Sequence, residues 1–260
     1  QWTEAEKELF AKWIAQGAPI KPHWSFIAPT GTAAPTVKNQ AWVRNPIDSF
    51  IQARLESEGV RHSPEAERST LLRRLSLDLT GLPPTPAEMD AFVRDERPNA
   101  YELQVDRLLE SPHYGERWGR HWLDVARYAD SDGFESDADR PHAHQYRDFV
   151  IRALNDDLPF DTFVRWQLAG DEIDPDNPQA LAATGFLTGA PSQFLEDKFL
   201  EEGRFRNRYN ELDDILSTAG TSLLGLTLGC ARCHDHKYDA ISAREYYRLL
   251  SAFHSGDRKV

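Results

Sequence analysis

Both cysteines of this 260-residue chain lie in one short segment, LGLTLGCARCHDHKYDAI (residues 224–241). Cys230 and Cys233 allow at most one disulfide, so cross-links cannot hold the chain together and an apolar core must. The length suits one large domain or two small ones, and 40% hydrophobic with 28% charged residues is an ordinary globular composition. The segment poses a chemical question as well. Two thiols one helical turn apart, with His234 directly after the second, fit a covalently attached haem, a zinc site or a redox dithiol.

Helical periodicity dominates elsewhere, and no run alternates with the period of a strand. Thr3 and Glu6 have capping-box spacing ahead of the apolar residues Leu9, Phe10 and Trp13, and Gly17 with Pro19 stops that helix. Residues 19–45 are rich in Pro, Thr and Ala without a period and read as a linker or extended arm. Pro46 and Gly59 bracket a further helix. Leu71, Leu72, Leu75 and Leu79 share a helical stripe. Helices are expected over 86–95, 99–110, 114–130, 143–155 and 159–169, and from Asn210 onward. In the last one Ser242 and Glu245 form a capping box, with Tyr246, Leu249, Leu250 and Phe253 on one face. The expectation is an all-α, irregular domain of about ten helices, organised as a first helix (1–18), an arm (19–45) and a helical domain (46–260).

Cys230-Ala-Arg-Cys233-His234 matches the C-x-x-C-H pattern of c-type haem attachment. Each thiol can add to a haem vinyl group to form a thioether, and the adjacent His234 can serve as the proximal iron ligand. Zinc would need four ligands, for which Cys230, Cys233, His234 and His236 are the right types. Their spacing is poor, and no second cluster is present. A redox C-x-x-C usually sits beside a β-α-β pattern, which is absent here. Haem is the preferred reading.

Several long stretches carry a family likeness: NPIDSFIQARLESEGV, RRLSLDLTGLPPTPAEMDAF, LLESPHYGERWGRHWLDVARYADSDGFE, YRDFVIRALNDDLPFDTFVRWQLAGDE and LGLTLGCARCHDHKYDAISAREYYRLLSAF. From HWSFIAP onward the chain resembles the planctomycete cytochrome c-type domains of otherwise unknown function. The first helix is similar to the tail of a small cytochrome module. The resemblance implies a single c-type haem and an exported, periplasmic location. It also implies neighbouring cytochrome or redox modules in the same polypeptide. One departure is Tyr-Asp-Ala-Ile at 238–241, where the family usually has Phe-Asp-Pro-Ile.

Candidates for the far side of the iron are Met89, His23, His62, His113, His121, His142, His144 and His254. His121 is preferred, with Asp124, Arg127 and Tyr128 as companions in a ligand set or proton relay. Trp118, Trp122, Val125 and Ala129 are expected to face the core, and the plainer alternative for this helix is a partly buried one stabilised by Arg120–Asp124 and Asp124–Arg127 pairs. Met89 reads more simply as core packing, and His236 as a haem-edge or propionate contact. The acidic run DSDGFESDAD (130–139) has the oxygen density of a calcium site, although its glycine falls at the wrong place for an EF-hand.

The net charge of −12 disfavours nucleic acid, and no run of about 20 apolar residues marks a membrane span. No signal-like n- and h-regions open the sequence, so the expectation is a removed signal or a piece of a longer chain. The preferred function is electron transfer through one covalent haem. The alternatives are a haem enzyme with an open distal site and a zinc-stapled structural domain.

Overall fold

A computed structural model describes residues 2–21, 23–133, 137–191 and 200–255. Helices dominate, as the periodicity implied. Among the described residues the sole β feature is a bridge between Ser131 and Asp139. The chain divides into two compact units, 1–65 and 66–260.

In the first unit, α1 (Glu4–Ala15) begins with the expected Thr3–Glu6 capping box. Its Leu9, Phe10 and Ile14 are exposed. α2 (Pro46–Ser57) is capped by Asn45, with Pro46 in the first turn. The Glu56 carboxylate accepts the N–H groups of Lys38 and Asn39 at 3.0–3.1 Å, and Trp42 stacks on His62 at 4.8 Å. These contacts tie residues 38–42, at the end of the arm, to α2 and to the segment that follows it. They explain why the division falls after Glu65 rather than before Pro46.

The second unit has three apolar clusters. α3 (Arg68–Leu79), α4 (Pro86–Arg94) and α5 (Ala100–Leu109) enclose Leu72, Phe92 and Ala100, with Met89 packed against them. The Arg68 guanidinium lies 4.3 Å from the Phe92 ring centre and donates to the Phe92 and Asp95 carbonyls.

The largest cluster joins α6 (Pro112–Val125), α7 (His144–Asn155), α8 (Phe160–Ile173), α9 (Pro178–Ala183) and α10 (Gly185–Thr188). α6 and α7 approach closely because glycines sit between them: a Cβ on Gly115 would stand 2.3 Å from the Ile151 carbonyl. α8 is interrupted at Ala169, and Gly170 meets α9 so tightly that a Cβ would be 2.0 Å from the Ala180 carbonyl. Trp122, Tyr146 and Gln167 form a polar knot in this core. The Gln167 carbonyl accepts from Trp122 Nε1 and from the Tyr146 hydroxyl, both at 2.7 Å.

α11 (Glu201–Ala219) runs into a π-helical segment, Gly220–Leu224, and α12 (Ala243–Phe253) packs back on α11. Leu212, Leu216, Leu228, Ala231, Tyr246 and Leu250 fill the space between them. The cysteine segment is thus one wall of this third cluster. Gly225 ends the π segment in the left-handed region, φ 65°, where glycine carries no Cβ penalty. Gly220 lets the chain fold back, since a Cβ there would fall 2.6 Å from the Leu228 side chain.

Four expectations change. α6 ends at Val125 rather than running to 130, because Arg127 adopts φ 54° and turns the chain. Of the four residues expected on its core face, only Trp122 packs inward; Trp118, Val125 and Ala129 are exposed. α11 starts at Glu201 rather than Asn210, and Leu249 of α12 is exposed while Tyr246 and Leu250 are buried.

Candidate functional site

Cys230 lies in a short 3-10 turn, Gly229–Arg232, and Cys233 follows it. Both thiols are free and exposed. Ala231 is fully buried and anchors the turn in the core, so its neighbours face outward. Arg232 is held at three points. Its guanidinium donates to Asp213 at 2.9 Å and to Asn210 at 2.8 Å, while its carbonyl accepts from the Tyr247 hydroxyl at 3.0 Å. Asp213 also accepts from the Tyr246 hydroxyl. Burial, and then the Asp213 carboxylate, push the Tyr246 hydroxyl well above its ordinary pKa. The turn carrying the thiols is therefore fixed by both helices beneath it.

The two histidines of the segment are held differently. His234 is exposed, and its Nδ1 lies 2.8 Å from the Asp235 carbonyl oxygen. A carbonyl can only accept, so Nδ1 donates, and in the neutral ring the lone pair is on Nε2. His236 is the reverse. Its side chain is 7% exposed, and Nδ1 accepts the backbone N–H groups of Asp239 at 2.9 Å and Tyr238 at 3.3 Å. A carboxylate oxygen of Asp239 lies 3.4 Å from the same nitrogen. The shorter N–H contact governs, so the hydrogen sits on Nε2. His236 is the internal staple of the 234–241 loop, not a group presented at its edge. Asp235 completes the loop by accepting the Ala243 N–H at 2.8 Å, beside the Ser242–Glu245 box that starts α12.

The other candidates lie elsewhere. His121 is exposed on α6, and its ring neighbour is Trp118 at 5.5 Å. Asp124 is exposed and 3.9 Å from Arg120. Its expected pair with Arg127 does not form, because the helix has ended. Arg127 instead donates through Nε to Asp214 of α11 at 2.5 Å and through Nη1 to the Phe186 carbonyl at 3.1 Å. Tyr128 leaves the His121 face for the same reason, and its hydroxyl donates to Asp130 at 2.5 Å. His113 pairs with Glu116 at 2.7 Å, His144 bonds the Pro141 carbonyl at 3.0 Å, and His254 is 6.2 Å from the Tyr209 ring. In the first unit His23 bonds Ser25, and His62 bonds Asn39.

Two inorganic alternatives can be compared with these positions. Among the described residues no three His, Cys, Asp or Glu side chains are grouped to hold a metal ion. In the acidic run Asp132 is buried against Arg140 at 2.6 Å, Asp137 accepts the Gly133 N–H and Asp130 accepts from Tyr128. Glu135 lies outside the described residues.

The family model PSCyt2, described as a protein of unknown function (DUF1549), matches residues 46–258. The chain belongs to this family. No curated protein and no solved structure matches it. The PSCyt2 match takes in α2 to α12 and the whole cysteine segment. Among the described residues no helix is long and apolar enough to cross a membrane.

The sequence pointed to Cys230, Cys233 and His234, but not to Asn210, Asp213 and Tyr247, which hold the turn. These are ordinary helix residues in the sequence, and the packing of α11 against α12 brings them to Arg232.

Proposed function

We propose that this PSCyt2 domain would hold one covalently attached haem on Cys230 and Cys233, with His234 as an iron ligand, and would serve electron transfer in an exported redox protein. The observation that carries the reading is the state of His234. Its Nδ1–H is engaged by the Asp235 carbonyl, which leaves the bare Nε2 that iron ligation requires. The donor set agrees: two free, exposed thiols on one turn and an exposed imidazole next to them. When bound, the haem supplies one-electron exchange at iron. The chain's part is to present the thiols and fix the ring. Asp213, Asn210 and Tyr247 hold Arg232, and the Asp235 carbonyl sets the tautomer. Zinc is supported less well, because His236 has Nδ1 engaged by its own loop.

The test is expression of the chain in a host with haem-ligation machinery. Haem colour should survive denaturation and stay with the polypeptide on a gel. Replacing both Cys230 and Cys233 with Ala should abolish it. Loss of all haem on denaturing the unmodified chain, or stoichiometric zinc in its place, would overturn the proposal.

A further inference from the structure

A cleft of about 370 Å³ lies between the segment after α6, the start of α7 and α10. Its size suits a small organic ligand. The walls are mixed: the Tyr128 ring, Ala129, Leu181 and Ala182 on the apolar side, and Asp139, Arg140, His142 and Gln145 on the polar side.

The charges in it are unequally available. Arg140 is its guanidinium, and that group is committed. Nε donates to the buried Asp132 at 2.6 Å, Nη1 to the Gly189 carbonyl at 3.2 Å and Nη2 to the Ala190 carbonyl. Arg147, near Tyr128, is paired to Asp148 at 2.9 Å. The Asp139 carboxylate, by contrast, is exposed and has no hydrogen bond or ion pair among the described residues. The same is true of the His142 ring and the Gln145 amide. Tyr128 has its hydroxyl turned to Asp130. That second carboxylate adds negative potential beside an aromatic face. Burial, and then Asp130, raise the Tyr128 hydroxyl to about 12, so it adds no charge of its own near neutral pH.

An anion would meet a neutralised guanidinium and the Asp139 carboxylate, which has no partner among the described residues. A bare metal ion would lack a third grouped ligand among the described residues. A cation with a small apolar body meets a free carboxylate, an aromatic face and an apolar wall. We propose that this cleft binds a small organic cation, an alkylammonium group paired with Asp139 against the Tyr128 ring. The site is independent of the haem proposal.

An isosteric series tests it on the full chain: n-butylammonium, n-butanol and n-butyrate, followed by amide shifts in NMR titrations. The ammonium should give saturable shifts at Tyr128 and across 139–145, weakened by salt, with the alcohol and the acid giving none. Asp139→Asn should weaken binding about five- to tenfold, as expected for loss of a partly solvated charge pair. Because the Asp139 side chain has no partner among the described residues, this variant should fold normally. Asp139→Lys should shift the preference to butyrate. Equal binding of butanol or butyrate by the unmodified chain would overturn the proposal, as would unchanged affinity in Asp139→Asn or no saturable binding of the ammonium.

Discussion

His234 and His236, two residues apart, are fixed as opposite tautomers. His234 donates through Nδ1 to a backbone carbonyl, and His236 accepts through Nδ1 from backbone N–H groups. One ring therefore keeps its lone pair on Nε2 while the other organises the loop. The expected measurement needs no cofactor: imidazole nitrogen shifts of the haem-free chain should report Nδ1–H for His234 and Nε2–H for His236. The same tautomer in both rings would contradict the assignment.

Substitutions should separate the two roles. His236→Ala leaves the Tyr238 and Asp239 N–H groups without their acceptor and should cost about 1–3 kcal/mol of stability. His234→Ala removes an exposed ring and should cost less than about 0.5 kcal/mol. Under the haem proposal, the His234 variant changes the absorption spectrum of the loaded protein and the His236 variant does not. Urea denaturation and one spectrum of each variant decide the matter.

Asp213 should behave as the anchor of the cysteine turn. It accepts from both Arg232 and Tyr246, with side chains about a quarter to a third exposed at the Arg232 pair. Asp213→Ala leaves two donors unmatched and should destabilise by about 2–3 kcal/mol, below the range for a fully buried pair because solvent reaches it. Tyr246→Phe removes one donor and leaves the Arg232 pair, so its cost should be nearer about 1 kcal/mol. A double-mutant cycle with no coupling between positions 213 and 246 would show that the hydroxyl finds another partner.

Much of this was legible in the sequence, and the failures share a cause. The capping boxes at Thr3 and Ser242 and the Pro46 helix start follow from local backbone chemistry, and all three form. The end of α6 was missed because it is set at long range: Arg127 sits in a left-handed turn while its side chain is tied to Asp214, which is 87 residues away. Periodicity alone ran that helix on to 130 and placed Tyr128 above His121. The wrong choice of core face has a similar origin. α6 packs through Gly115 and Gly119, residues that hydrophobic patterning does not count as apolar contacts.

The glycine contact makes a graded prediction. At Gly115 an added Cβ meets backbone, the Ile151 carbonyl, at 2.3 Å, while at Gly119 its nearest neighbour is the Ile151 side chain at 3.3 Å. Gly115→Ala must push α6 away from α7 and should cost about 3 kcal/mol, the upper end for overpacking. Gly119→Ala should lie within about 1 kcal/mol of the parent, since helix propensity offsets a small adjustment. Thermal melts of the two variants should differ clearly, and equal effects would place the tight contact elsewhere.

Alkaline pH should weaken the fold. Burial is the main cause that raises the Tyr146 and Tyr246 hydroxyls well above their ordinary value and Tyr128 to about 12. The folded chain thus holds these protons at a pH where the unfolded chain has lost them. With more protons bound in the native state, the free energy of unfolding falls as pH rises. The stabilising contribution is complete below the ordinary tyrosine pKa of about 10 and is lost progressively above it. Denaturation midpoints should therefore be insensitive to tyrosine ionisation near neutrality and drop above about pH 10. Tyr246→Phe removes one titrating group and should make that alkaline decline shallower, even though the variant is less stable at neutral pH. Tyrosinate absorbance at 295 nm gives an independent check, with part of the signal appearing only when the chain unfolds. A decline equally steep in Tyr246→Phe would exclude Tyr246 as a contributor.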